Sequence, residues 1–495
     1  MVLNNIESLS YFLPELILTG MILVILVLSL VLPGLKRSAL LIYLSVAGLG
    51  VVLFSIVGAF PAPGKMLFSG MLAFDSFALY FKLLFTILTA IVLLSAAVSS
   101  EIAGRRIAEF SALVLSVLLG MMVLASAMDL LMIYVALELV SIPSYILSGY
   151  KKNDTRSNEA ALKYVIYGAF ATGLMLYGMS LLYGLTGTTN MLVIRKVLAT
   201  SLPSDITLYV ALILILAGFG YKIASVPFHF WCPDVYQGAP TPVTAFLSVG
   251  PKAAGFAILI RFMFVAMTES SWSPLGQPLW NVDWPMILAV ISAITMTFGN
   301  LSALMQKNLK RLLAYSSIAH AGYLLMGAVI LSIEGVQAIL FYLLVYMIMN
   351  LGAFLVVIIV INRLGDEDIE TYKGLGWRAP VLASLMTVFL FSLTGLPPTA
   401  GFIGKFYLFA AVIKQQYYWL ALVGALNSVI ALYYYVRVIK TMFLDKPLEA
   451  SRVTIPAYPV VLLFFLAIPT ILLGVYWAPV KNFIDLSFQG FLLLP

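Results

Sequence analysis

The sequence predicts an all-α polytopic membrane protein of about fourteen transmembrane helices, arranged as two inverted five-helix repeats in which helices 7 and 12 are broken. Three observations predict it. The 495 residues are 62% hydrophobic and 10% charged, with mean hydropathy +1.06, more apolar surface than a soluble domain could hide from water. Apolar runs of about twenty residues, the length that crosses a bilayer, recur from end to end. Basic residues gather in alternate short loops. The longest polar stretches, KKNDTRSNEA and NRLGDEDIETYKGLGWR, are loop-sized, so no separate soluble domain is visible.

The runs fall near residues 14–33, 39–58, 74–98, 110–127, 130–149, 159–185, 207–226, 241–264, 285–304, 312–332, 336–361, 380–410, 417–437 and 457–477. The first, Leu16 to Leu32, is too long and too weakly flanked at its start for a cleaved signal peptide and is counted as a span. With the N-terminus outside, inner loops carry Lys36/Arg37, Arg105/Arg106, Lys151/Lys152/Arg156, Lys307/Lys310/Arg311, Arg363/Lys373/Arg378 and Arg437/Lys440/Lys446/Arg452. Outer loops carry only Lys65, Arg195/Lys196, Lys414 and Lys481, and the long loop MTESSWSPLGQPLWNVDWP carries none. That bias is the positive-inside rule. It places both termini on the outer side of the membrane.

Several chemistries are excluded. The single cysteine, Cys232, cannot form an intrachain disulfide or hold an iron–sulfur cluster. Two histidines, His229 and His320, with no Cys/His cluster argue against haem or zinc. No glycine-rich phosphate loop is present. No cofactor or metal is expected on this chain, and any electrons travel elsewhere. The net charge of +7 is a topology signal and not a nucleic-acid one.

The symmetry lies in the broken helices. The seventh span descends inward and carries Lys222 before Pro227; the twelfth ascends and carries Gly395 to Pro398 before Lys405. A lysine before one break and after the other, in helices of opposite direction, is what an inverted repeat produces. The chain divides into 1–109 (helices 1–3), 110–264 (helices 4–8), 285–437 (helices 9–13) and 438–495 (a loop and helix 14). Non-helical backbone at that depth is tolerated only inside protein or beside water. Proline kinks also occur as plain bends, but paired kinks with paired lysines favour an ion path.

The charges within apolar stretches define that path. A lysine at mid-membrane costs roughly 2.5–3.5 kcal/mol on insertion scales, so it needs a compensating role. Glu138, in LLMIYVALELVSIPSYIL, is expected to be the counter-ion of Lys222, against the alternative of a carboxylate bonded to Ser or Tyr. A pair that can separate changes the lysine's proton affinity. Lys163 either snorkels to the interface or reaches inward to modulate the pair. Lys252, among small residues after Gly250 and Pro251, is expected to reach a central cavity, and Lys405 to be the terminal carrier. His320 either bridges Lys252 toward Lys405 or is structural. His229 and Asp234 shape an inner-side loop or admit protons. Lys82 has no evident role, and Cys232 is core filling.

At VPFHFWCPDVYQGAPTPVTAFLSVGPKAAGF, at YSSIAHAGYLL and at FSLTGLPPTAGFIGKFYLF, the chain strongly resembles the antiporter-like membrane subunits of respiratory complex I, over nearly its whole length. The resemblance implies fourteen helices, inverted repeats and a hydrophilic axis along the membrane. It makes Glu138, Lys222, Lys252 and Lys405 look like the family's glutamate of span five and lysines of spans seven, eight and twelve. Lysine at 405 resembles the N type of subunit, where the M type has glutamate; the end of the chain soon after span fourteen differs from the L type. The implied activity is proton translocation coupled to electron transfer from NADH (or ferredoxin) to quinone. Implied partners are K- and M-type membrane subunits and a peripheral arm holding flavin and iron–sulfur clusters. Two other functions remain: a subunit of a multisubunit Na⁺/H⁺ antiporter, and a scaffold that only completes a membrane arm.

Overall fold

The computed structural model describes residues 2–104, 106–200, 205–268, 283–330, 332–447 and 451–492. Arg105 and most of the loop 267–285, both used for the topology, lie outside the described residues. The chain begins with a short helix α1 (Asn5–Leu9), closed by reciprocal hydrogen bonds between Asn4 and Glu7. Helices α2 (Leu13–Val31) and α3 (Leu40–Val57) follow, then an antiparallel pair, β1 (Pro63–Leu67) and β2 (Leu72–Asp75). From there run α4 (Ser76–Val98), α5 (Ile107–Ser126), α6 (Leu130–Ser148), α7 (Thr155–Thr186), the short α8 (Met191–Thr200) and α9 (Asp205–Ile223). The middle of the chain holds α10 (Trp231–Gly238), α11 (Thr241–Ala266), α12 (Trp284–Leu304), α13 (Leu309–Val329) and α14 (Ile333–Leu364). The last elements are α15 (Leu375–Arg378), α16 (Pro380–Thr394), α17 (Ala400–Lys414), α18 (Tyr418–Phe443), α19 (Ala457–Val475) and α20 (Ala478–Leu492).

Among the described residues, 13 helices are long and apolar enough to cross a membrane. The expected twelfth span is present as α16 and α17, each too short to cross alone, which completes fourteen. Among the described residues, the small hairpin is the one sheet in an otherwise helical chain. It lies on the membrane face that carries both termini: Val2 bridges Met66 of β1, and the Phe483 ring of α20 packs tilted against Phe60 at 5.3 Å. That side is called the termini face below.

Polar residues begin the helices where backbone N–H groups would otherwise be orphaned. Asp75 caps α4, Asp154 α7, Asn308 α13 and Ser332 α14. Packing then sorts the helices. α11 is buried along its length and α13 nearly so, whereas α2, α3 and α19 are the periphery. Close crossings use small residues, as membrane bundles do: a Cβ on Gly299 of α12 would lie 2.7 Å from the Ala319 nitrogen of α13.

Both predicted breaks are real, and each re-satisfies its freed backbone. At 224–230 the Trp231 indole donates to the Tyr221 carbonyl at 3.1 Å, and the Val226 N–H to Thr295 at 3.1 Å. At 395–399, Gly395 takes φ +88°, a value that glycine tolerates. There the Gly401 N–H donates to Ser392 at 3.1 Å. α10 runs from the first break to the face opposite the termini, and α17 from the second break to the termini face.

Candidate functional site: a row of buried cations

Lys222, Lys252, His320 and Lys405 are all buried in the bundle. None touches another directly; each is held by hydroxyls or carbonyls. Lys222, in the last turn of α9, donates to Ser141 of α6 at 2.9 Å. Its stem crosses α11 at Gly255, where a Cβ would meet the Lys222 Cβ and Cγ at 3.4 Å. Gly255 is three residues, one turn, from Lys252, so α11 brings the two lysines together. Lys252 donates to Ser317 of α13, with the Cys232 sulfur at 3.9 Å and the Tyr236 ring beneath it at 5.6 Å.

α13 then carries the row onward. Ser317, His320 and Tyr323 follow at intervals of three and share one helix face. His320 Nδ1 meets the Tyr342 hydroxyl at 2.7 Å and Nε2 the Tyr435 hydroxyl at 3.4 Å; Tyr435 also bonds Ser316. Lys405 sits 4.4 Å over the Tyr323 ring and donates to the Thr394 carbonyl at 2.8 Å and Ser428 at 3.4 Å. Ser428 donates to Tyr323 at 3.2 Å. His320 stands on α13 between Ser317, which holds Lys252, and Tyr323, over which Lys405 sits.

One expectation is corrected in geometry, and one alternative left open by the sequence is decided. Glu138 is near enough to act on Lys222 electrostatically, yet the two are not ion-paired. Lys222 instead takes Ser141, one turn along α6 from Glu138. Glu138 is only partly buried, on the side of α6 where Leu131, Val135, Ile142 and Ile146 are exposed. Lys163 does not reach inward: it pairs with Glu159 and with Asp234, each at 2.6 Å, near the face opposite the termini. Asp234 also binds Arg311 at 2.6 Å, so it ties α7, α10 and α13 together.

Several buried charges were not singled out in the sequence. Glu15 pairs with Lys82 at 2.7 Å, which gives Lys82 a partner. Arg261 of α11 grips Asp75 with two nitrogens, at 2.8 and 3.0 Å. Lys310, expected in a loop, is buried and donates to the carbonyls of Gln237 and Ala239 at 3.0 and 2.8 Å. Arg261 carried the same signal as the lysines, a charge inside the apolar run GFAILIRFMFV; Ser141, Ser317 and the tyrosines carried none. No group of three or more metal-binding side chains occurs among the described residues.

Residues 127–431 match the family described as NADH:quinone oxidoreductase/Mrp antiporter, transmembrane. A protein of Anaeromyxobacter sp. named NADH-quinone oxidoreductase subunit N is 48% identical over 510 residues, covering 99% of this chain and 98% of that one. Among solved structures, a chain of respiratory complex I from Thermus thermophilus is 32% identical with TM-score 0.77, covering 95% and 98%. A chain of the archaeal membrane-bound sulfane sulfur reductase is 27% identical with TM-score 0.83, covering 97% of each. The chain therefore belongs to the antiporter-like family of membrane subunits. Within that family it is similar to the proteins named subunit N of NADH-quinone oxidoreductase, at 40–48% identity across five or more bacterial genera.

Proposed function

We propose that this chain translocates protons as a membrane subunit of NADH:quinone oxidoreductase, through Lys222, Lys252, His320 and Lys405. The observation that carries the reading is the row itself: four buried basic groups, each held by its own hydroxyls or carbonyls and without carboxylate partners in contact. A lysine locked in an ion pair keeps its proton, whereas one held by a serine can give it up. Lys222 has two stations on α6, the Ser141 it now occupies and Glu138 one turn away. Movement between them is the switch: at Glu138 the lysine holds its proton, and at Ser141 it can pass it toward Lys252. Ser317, Tyr435 and His320 carry it along α13, and Lys405 ends the row beside the second break.

The termini face is the outer side in this reading, so protons enter beside α10 and leave beside α17. NADH, flavin, iron–sulfur clusters and quinone belong to partner subunits, and this chain carries no redox centre. K- and M-type subunits are its neighbours, and the partly exposed flank of α6 bearing Glu138 is one surface for such contact. The remaining reading, a Na⁺/H⁺ antiporter subunit, has the family's shared fold behind it. Proteoliposomes holding the purified complex separate the two. NADH-driven proton uptake in sodium-free buffer supports the proposal, while proton movement that needs a sodium gradient and ignores NADH contradicts it.

A further inference from the structure

Two arginines stand in matching places of the two halves. α11 and α18 are each 26 residues long; Arg261 is the twenty-first residue of the first and Arg437 the twentieth of the second. Because the helices run in opposite directions, Arg261 lies near the termini face and Arg437 near the other. Their partners also match. Arg261 donates at 2.9 Å to the Ala125 carbonyl, at the end of α5. Arg437 donates to the Leu304 carbonyl, at the end of α12, at 2.7 Å, and to the Gln306 carbonyl just beyond it at 2.6 Å. α5 opens the first group of five spans and α12 the second. Each arginine thus closes the last helix of its half onto the end of the first.

The closures are tight. Arg261 is fully buried, holds Asp75 with two nitrogens and packs beside the rings of Phe77 and Phe491, its guanidinium carbon 5.1 and 5.2 Å from their centres. Phe491 belongs to α20, so the C-terminal helix lids this end of the bundle. Arg261 is nine residues along α11 from Lys252, about 13 Å at ~1.5 Å per residue. A guanidinium offers five donors and no acceptor and does not give up its proton. A chain of hydrogen bonds that reaches one therefore ends there, which is how an arginine bars protons from a polar pore. The position is telling in each half. From the first break α10 continues to the face opposite the termini, and Arg261 closes the termini end; from the second break α17 continues to the termini face, and Arg437 closes the opposite end.

We propose that Arg261 and Arg437 insulate the proton row, each sealing its half on the membrane side away from that half's helix break. Protons on Lys252 then have no direct way out past Arg261 and must travel along α13 to Lys405. Protons on Lys405 cannot fall back past Arg437. The inference rests on the proton path proposed above and adds the walls to it.

The test is passive proton leak in proteoliposomes of the whole complex, without NADH, beside the NADH-to-quinone rate and the assembly level. Arg261→Gln and Arg437→Gln are expected to keep electron transfer but to leak several times faster than the parent, with fewer protons pumped per electron. Adding Lys252→Ala to the first, or Lys405→Ala to the second, should abolish the extra leak, because the leak runs through the row. Arg437 is partly exposed, so its variant carries the test if Arg261→Gln fails to assemble. Assembled variants as tight as the parent overturn the proposal and leave both arginines as helix clamps. If Lys222→Ala also pumps at the parental ratio, the proton path itself is wrong; if it does not, only the insulating role is lost.

Discussion

At the scale of single residues, the site works because the buried ammoniums of Lys222, Lys252 and Lys405 have no carboxylate in contact. Lys222 and Ser141 illustrate the consequence. Removing a hydrogen bond to a charged group costs about 1.5–3 kcal/mol, so Ser141→Ala should shift the lysine toward Glu138 by roughly ten- to a hundredfold. Proton pumping per electron should fall while quinone reduction by the peripheral arm persists; an unchanged ratio would deny Ser141 its part. Tyr342→Phe removes the 2.7 Å partner of His320 and leaves the ring in place. It should slow pumping with little change in assembly, read from turnover and from the amount of intact complex. The lysines and Glu138 were legible in the sequence because a charge in an apolar run is conspicuous. The hydroxyls holding them were not, since serine and tyrosine are ordinary in membrane helices and only the fold shows which ones face a lysine. The outward pairing of Lys163 was also undecided, because its partner Asp234 lies 71 positions away.

At the scale of elements, the breaks and the loop ends hold the row in register. Gly395 has φ +88°, and a Cβ there would meet Lys405 Cδ at 2.8 Å. Gly395→Ala should therefore cost about 1–3 kcal/mol of local strain and displace the terminal lysine, seen as a lower melting temperature together with weaker pumping. The paired prolines and the glycine made this break legible; its exact reach, and the division of span twelve into α16 and α17, depended on Ser392 meeting Gly401. On the face opposite the termini, Glu101 joins three segments, pairing with Lys151 at 3.1 Å and accepting from the Thr241 N–H at 2.7 Å. Burial opposes its ionisation, but Lys310, Lys151 and the Thr241 hydrogen bonds prevail and hold its carboxyl below the usual range. A depressed carboxylate pKa stabilises fully above the unfolded value, about 4.3, and the benefit is lost as pH falls through the folded value. Glu101→Gln should lower stability by about 1–3 kcal/mol at pH 7, and the gap should close below about pH 4. Thermal melts of the two proteins across that range check it.

At the scale of the whole molecule, the wrapping of the other twelve spans around α11 and α13 explains how one chain holds several unpaired cations. The two central helices are shielded by the others, the peripheral α2, α3 and α19 meet the surroundings, and the helices that follow the two breaks run to opposite faces. Span number and the opposed breaks were readable from hydropathy and from proline positions. The buried pairs Glu15–Lys82 and Asp75–Arg261 were not, since their members are 67 and 186 residues apart and only tertiary packing joins them. The central claim is that protons cross by way of Lys222. It is tested most directly by measuring protons pumped per electron in proteoliposomes of the complex carrying Lys222→Ala, with assembly and the NADH-to-quinone rate followed in the same preparation. The account predicts assembled complex with a clearly lowered ratio and electron transfer still running. Assembled complex pumping at the parental ratio would contradict it.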